Sequence, residues 1–108
     1  MLTPCTKKKH LYVVLAIHGN GVAILANITT PRKGSDTTCI LRPGVHPFIR
    51  HRSCVHYEGM IDLTVERLRN EERRETASEY MLKQMQLGAI KSPDSDPELV
   101  AIIASQIR

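Results

Sequence analysis

The sequence predicts an α+β protein, mainly β, in which a small curled β-barrel is followed by C-terminal helices. Three observations predict it. Two branched apolar runs of strand length, residues 11–17 and 22–28, flank the turn His18-Gly19-Asn20-Gly21. Apolar spacing then changes from strand-like to helical near residue 64. Finally, residues 97–107 form a capped, one-faced helix.

Taken in order, residues 11–17 and 22–28 make a hairpin, because Asn and Gly tolerate the positive φ of tight turns. Their near-continuous apolarity calls for strands covered on both sides or curled around a core. A polar loop over 29–37 leads to a short strand, 38–41, and Arg42-Pro43-Gly44-Val45 is a turn. Residues 53–57 form a further strand, which Met60, Ile61 and Leu63 extend. The barrel thus spans 10–63. Residues 64–74 are charged and helical, with Leu68 as their anchor after Val65. A second helix runs over 78–87, with Ser78 as N-cap and Gly88 as its stop, and 91–96 is a linker. In the last helix Asp96 is the N-cap, Pro97 takes the first position and Leu99, Ile102, Ile103 and Ile107 share a face. That stripe requires cover, from the barrel or from a partner; a homodimer would supply it.

At 108 residues the chain is a single domain, 1–108, with a barrel part and a helical part, 64–108. No apolar run reaches the length of a membrane span, and no membrane partner is expected. The basic start and short apolar run lead into a turn rather than a cleavage site, which argues against a signal peptide. Three cysteines without framework spacing fit reduced thiols and a cytoplasmic location. Charge is divided: residues 1–59 carry eight Lys/Arg against Asp36 and Glu58, net +6, whereas 60–108 carry seven against nine acids, net −2. All five histidines also lie in the first half. Such a half suits a polyanion such as RNA; a solvated basic surface is the alternative.

The succession of Leu11-Tyr12-Val13-Val14-Leu15, then Ala26-Asn27-Ile28-Thr29-Thr30, then His46-Pro47-Phe48-Ile49-Arg50-His51-Arg52-Ser53-Cys54-Val55-His56-Tyr57 resembles the PemK/MazF toxin group. The resemblance covers about residues 10–107, and its most specific segment is 46–57. It implies an SH3-like β-barrel with attached helices, metal-independent cleavage of single-stranded RNA, a cognate antitoxin protein and a homodimer. It places the toxins' functional threonine at Thr29 and Thr30, and a polar residue leading into a strand at His51-Arg52-Ser53. Those toxins open with a strand and a Gly-rich loop that ends in Arg-Pro; here Lys7-Lys8-Lys9-His10 stand before the Val-Val-Leu strand. That departure motivates the alternative of a non-catalytic SH3-like module that binds protein or nucleic acid, such as a phage or mobile-element regulator.

RNA cleavage without metal needs a base for the 2′-hydroxyl, an acid for the leaving 5′-oxygen and cations for the phosphorane. The candidates are His46 and His51 as acid–base groups, Arg50 on the scissile phosphate and Thr29 or Thr30 on a phosphate oxygen. Lys7, Lys8, Lys9, His10, Arg32, Lys33, Arg52 and Ser53 are candidate RNA contacts. Each has a plainer alternative: a turn at His46-Pro47 with the imidazole on a backbone carbonyl, surface charge for Arg50 and Arg52, an ordinary strand end for Thr29 and Thr30, a structural hydroxyl for Ser53. Cys39, His46, His51, Cys54 and His56 fall close together, but without the paired Cys spacing of zinc knuckles, so no metal is expected. Phosphate-loop and dinucleotide patterns are absent, and no cofactor is expected.

Overall fold

The computed structural model describes residues 2–5, 10–69 and 76–107. Among these residues, five strands form one antiparallel sheet: β1 (Leu2–Cys5), β2 (His10–His18), β3 (Val22–Thr29), β4 (Ile40–Leu41) and β5 (Ser53–Thr64), in the order β1-β2-β3-β5-β4. Three helices follow, α1 (Val65–Leu68), α2 (Glu79–Lys91) and α3 (Pro97–Gln106). None of them is long and apolar enough to cross a membrane.

The β2–β3 hairpin forms where expected, with Gly19 and Gly21 at φ 56° and 84° in its turn. Both faces of the hairpin are buried, which accounts for its unbroken apolarity. Leu11, Val13, Leu15, Ile24, Ala26 and Ile28 face the main core, while Ala23 and Leu25 join Leu68 in a second cluster on the opposite face. A register shift between Val14 and Ala16 puts both Leu15 and Ala16 in the main core.

β5 is longer than the 53–57 strand, continuing through Met60, Ile61 and Leu63 as expected. It pairs with β3 in two stretches, Val22–Leu25 against Ile61–Thr64 and Asn27–Thr29 against Cys54–His56, with an irregularity between them. The structure departs from the expected barrel here. β1 and β4 are the edges, and no pairing joins them among the described residues. Closure fails for a physical reason: β4 is only two residues long, and the polar loop before it contributes no further strand. Helices cover the open side instead. Met81, Met85 and Ala89 of α2 and Ile103 of α3 enter the main core, with Leu99, Ile102 and Ile107 packed against it. The terminal apolar stripe is thus covered by the chain's own sheet.

β1 was not expected from the sequence; Pro4 lies within it, at a sheet edge where a missing N–H is tolerated. Beyond the reach of β1, glutamines cover the free edge of β2. Gln86 donates to the Leu15 carbonyl (2.8 Å), and Gln106 both donates to the Ile17 carbonyl (2.6 Å) and accepts from its N–H (3.2 Å).

Among the helices, α1 ends at Leu68, capped by Thr64, and the rest of the expected 64–74 helix past Arg69 lies outside the described residues. Ser78 and Asp96 cap α2 and α3 as expected, accepting from Met81 N–H (3.1 Å) and Glu98 N–H (2.8 Å). Gly88 does not stop α2, which runs on to Lys91. A Cβ there would overlap Tyr57 Oη and stand 2.9 Å from Cys39 Cβ, so the glycine is required for helix and sheet to touch.

Candidate functional site

The site begins where β3 runs out. Thr29 is the last residue of that strand, and Thr30 precedes Pro31, which has no N–H to continue the ladder. The register sets Thr29 against Cys54, so the end of β3 meets the start of β5 and the residues leading into it. Those residues come from a tightly bonded loop. Gly44 turns at φ 93° and its N–H donates to the Ile49 carbonyl (3.1 Å), while Ile49 N–H donates to the His46 carbonyl (2.9 Å). Ile49 is buried and anchors the loop to the core.

The result is a groove of about 230 Å³ whose floor is Leu11, Ile28 and Ile49, with Phe48 at its side. Thr29, Thr30, His51 and Ser53 supply its polar atoms. Thr30 Oγ1 and His51 Nε2 are 2.8 Å apart in a hydrogen bond, with donor and acceptor set by the imidazole tautomer. Ser53 is buried and its hydroxyl donates to the His51 carbonyl (3.0 Å), fixing the backbone that carries the imidazole.

Four of the predicted residues therefore converge: Thr29, Thr30, His51 and Ser53. Arg50 and Arg52 are exposed on either side of His51 in the chain. Arg32 and Lys33 lie in the exposed turn after Thr30, which closes through the Ser35 N–H to Arg32 carbonyl bond (2.9 Å). His10 begins β2, one residue before the groove-lining Leu11. Lys7, Lys8 and Lys9 lie outside the described residues.

His46 does not line the groove. Its side chain is 3% exposed, and Nδ1 accepts from the Phe48 N–H (3.0 Å). The turn at His46-Pro47 is real, but its imidazole caps an amide where the sequence pointed to a carbonyl. This residue holds the loop in shape rather than facing a ligand.

Sequence reasoning did not place Phe48 and Ile49 in the site. The available signal was their position inside the 46–57 segment, between His46 and Arg50. It also missed Asp36, which takes hydrogen bonds from Thr38 N–H (2.9 Å) and from the Ser92 hydroxyl at the end of α2. Burial pushes the Asp36 carboxyl upward, but the bonds from Ser92 and Thr38, with His56 nearby, outweigh it and hold the pKa below its ordinary value. Burial raises the Cys39 and Cys54 thiols, which keeps both protonated and poorly nucleophilic. Among the described residues, no three His, Cys, Asp or Glu side chains gather as a metal site.

Chemically the groove offers, among the described residues, one solvent-exposed imidazole, a hydroxyl bonded to it and an apolar wall, with exposed arginines on either side of the imidazole in the chain. No family model matches this chain, nor does any curated protein or solved structure.

Proposed function

We propose that the chain is a metal-independent endoribonuclease of the PemK/MazF type, acting on single-stranded RNA and held in check by an antitoxin protein. In this reading the sheet is an opened relative of the SH3-like barrel, with helices covering its open side, and the protein works as a homodimer in the cytoplasm. The observation that carries it is the Thr30–His51 pair in the groove, with exposed Arg50 and Arg52 on either side of His51 in the chain. Thr30, His51 and Arg52 are among the residues that the resemblance singles out.

The chemistry follows from those groups. His51 accepts the proton of the 2′-hydroxyl at Nε2, displacing the Thr30 hydroxyl, which turns to a phosphate oxygen. The 2′-oxygen attacks phosphorus, the bond to the 5′-oxygen breaks, and water protonates the leaving oxygen. Arg50 neutralises charge on the phosphorane. The products are a 2′,3′-cyclic phosphate and a 5′-hydroxyl.

A second reading, the non-catalytic nucleic-acid-binding module, is favoured by the orientation of His46. With that ring turned into its own loop, His51 is the one imidazole lining the groove among the described residues. Incubating single-stranded RNA with the protein in chelator and mapping the ends separates the two. Cleavage leaving cyclic phosphate and 5′-hydroxyl ends supports the nuclease; retention of intact RNA supports the module.

A further inference from the structure

A second groove, of about 400 Å³, lies between β4 and α2. Both residues of β4 border it, and so does Arg42 after them, whereas a groove on one face of a strand would touch alternate residues only. The groove therefore follows the backbone edge of β4, on the side away from its partner β5. From α2 come Tyr80, Gln84, Leu87 and Lys91, a single stripe at helical spacing. We propose that this groove binds an extended, acidic segment of a partner protein, which pairs with β4 as an added strand. It shares no lining residue with the Thr30–His51 groove, so its occupant is independent of the RNA chemistry.

Edge, length and charge specify that occupant. Among the described residues β4 ends the sheet, and an unpaired edge is a template for another strand. From Tyr80 to Lys91 the helix rises about 16 Å, the span of about five extended residues. Arg42 and Lys91 are exposed on opposite walls, and among the described residues no Asp or Glu lines the groove. The walls run antiparallel, because Asp36 bonds Ser92 while Cys39 lies against Gly88. Lys91 and Arg42 thus mark opposite ends, where acids on the guest strand would meet them. Of the nearby carboxylates, Asp36 is already held by Ser92 and Thr38, and Glu79 lies outside the lining. A two-residue strand supplies few main-chain bonds, so side chains must add to them. Tyr80 and Val45, 76% and 44% exposed, leave apolar surface on both walls for that purpose.

The test uses two pools of labelled, end-capped heptapeptides. In one, Glu alternates with a mixture of Val, Leu, Phe and Thr; in the other, Lys replaces Glu. Anisotropy and amide NMR shifts are recorded for wild type and for the double variant Arg42→Glu, Lys91→Glu, with circular dichroism to establish folding. The acidic pool is expected to bind wild type and to shift the amides of residues 38–42 and 80–91. The double variant should weaken that binding by roughly 2- to 30-fold, as two exposed charge pairs allow. In wild type, N-methylating one alternate set of peptide amides should abolish binding and the other set should not, because only one set faces β4. No binding of the acidic pool, equal binding of the two pools, or equal effects of the two methylation patterns overturns the proposal. Shifts of these amides on self-association or with single-stranded RNA, in place of the peptides, also overturn it and assign the groove to a second copy or to nucleic acid.

Discussion

Tyr57 and Gly88 are a matched pair. The tyrosine is fully buried and its hydroxyl donates to the Met85 carbonyl of α2 (2.6 Å), one turn before the glycine that makes room for it. Burial, with the neighbouring Cys39, pushes the phenol far above its ordinary value, so it stays a neutral donor. A raised folded pKa stabilises the protein below the unfolded value, near 10, and that contribution is lost at higher pH. In an alkaline absorbance titration, Tyr57 is expected to ionise only as the protein unfolds; smooth ionisation of all three tyrosines in the folded state would contradict this. Gly88→Ala should destabilise by about 1–3 kcal/mol in denaturant melts, through forced overlap with Tyr57. The identity of Gly88 was visible in the sequence, but its role was not. A glycine near a helix end reads as a stop unless the tyrosine packed against it, distant in sequence, is known.

At the level of elements, the parts legible in the sequence are those fixed locally. The hairpin follows from Gly19, Asn20 and Gly21; the starts of α2 and α3 follow from Ser78 and Asp96. The parts that were not legible depend on remote partners. β1 exists because residues 10–13 offer it an edge, and beyond its reach Gln86 and Gln106, distant in sequence, bond the rest of the β2 edge. Asp36 belongs to this group, tying the loop before β4 to Ser92 at the end of α2. Its carboxyl is depressed in the fold, so its stabilisation is present above the ordinary carboxylate range and is lost as pH falls through the lowered value. Wild type is therefore expected to outlast Asp36→Asn in denaturant at neutral pH, with the gap closing below about pH 4. A gap independent of pH would remove the carboxylate from the account.

Across the whole molecule, sequence placed positive charge and histidines in the β half, and folding selected among them. Thr29, Thr30, His51 and Ser53, singled out in the sequence, come together because the end of β3 and the start of β5 fall in register. His46 was legible as a turn residue but not in its orientation, which depends on the backbone of Phe48. The exposed Arg32, Lys33, Arg50 and Arg52 predict a salt-sensitive affinity. If each meets a phosphate, the log–log salt slope for single-stranded RNA is about −3, and Arg52→Ala reduces its magnitude by about 0.7. A slope near zero would mean that these side chains do not meet RNA.

The central claim is that the Thr30–His51 groove cleaves RNA, and the rate of single-stranded RNA cleavage in chelator tests it most directly, comparing wild type with His51→Ala. The exposed position of His51 makes the substitution compatible with folding. The account predicts cleavage by wild type and a loss of roughly 10²–10⁴ in rate for the variant. Equal rates for the two proteins, or no cleavage by antitoxin-free wild type, would contradict it.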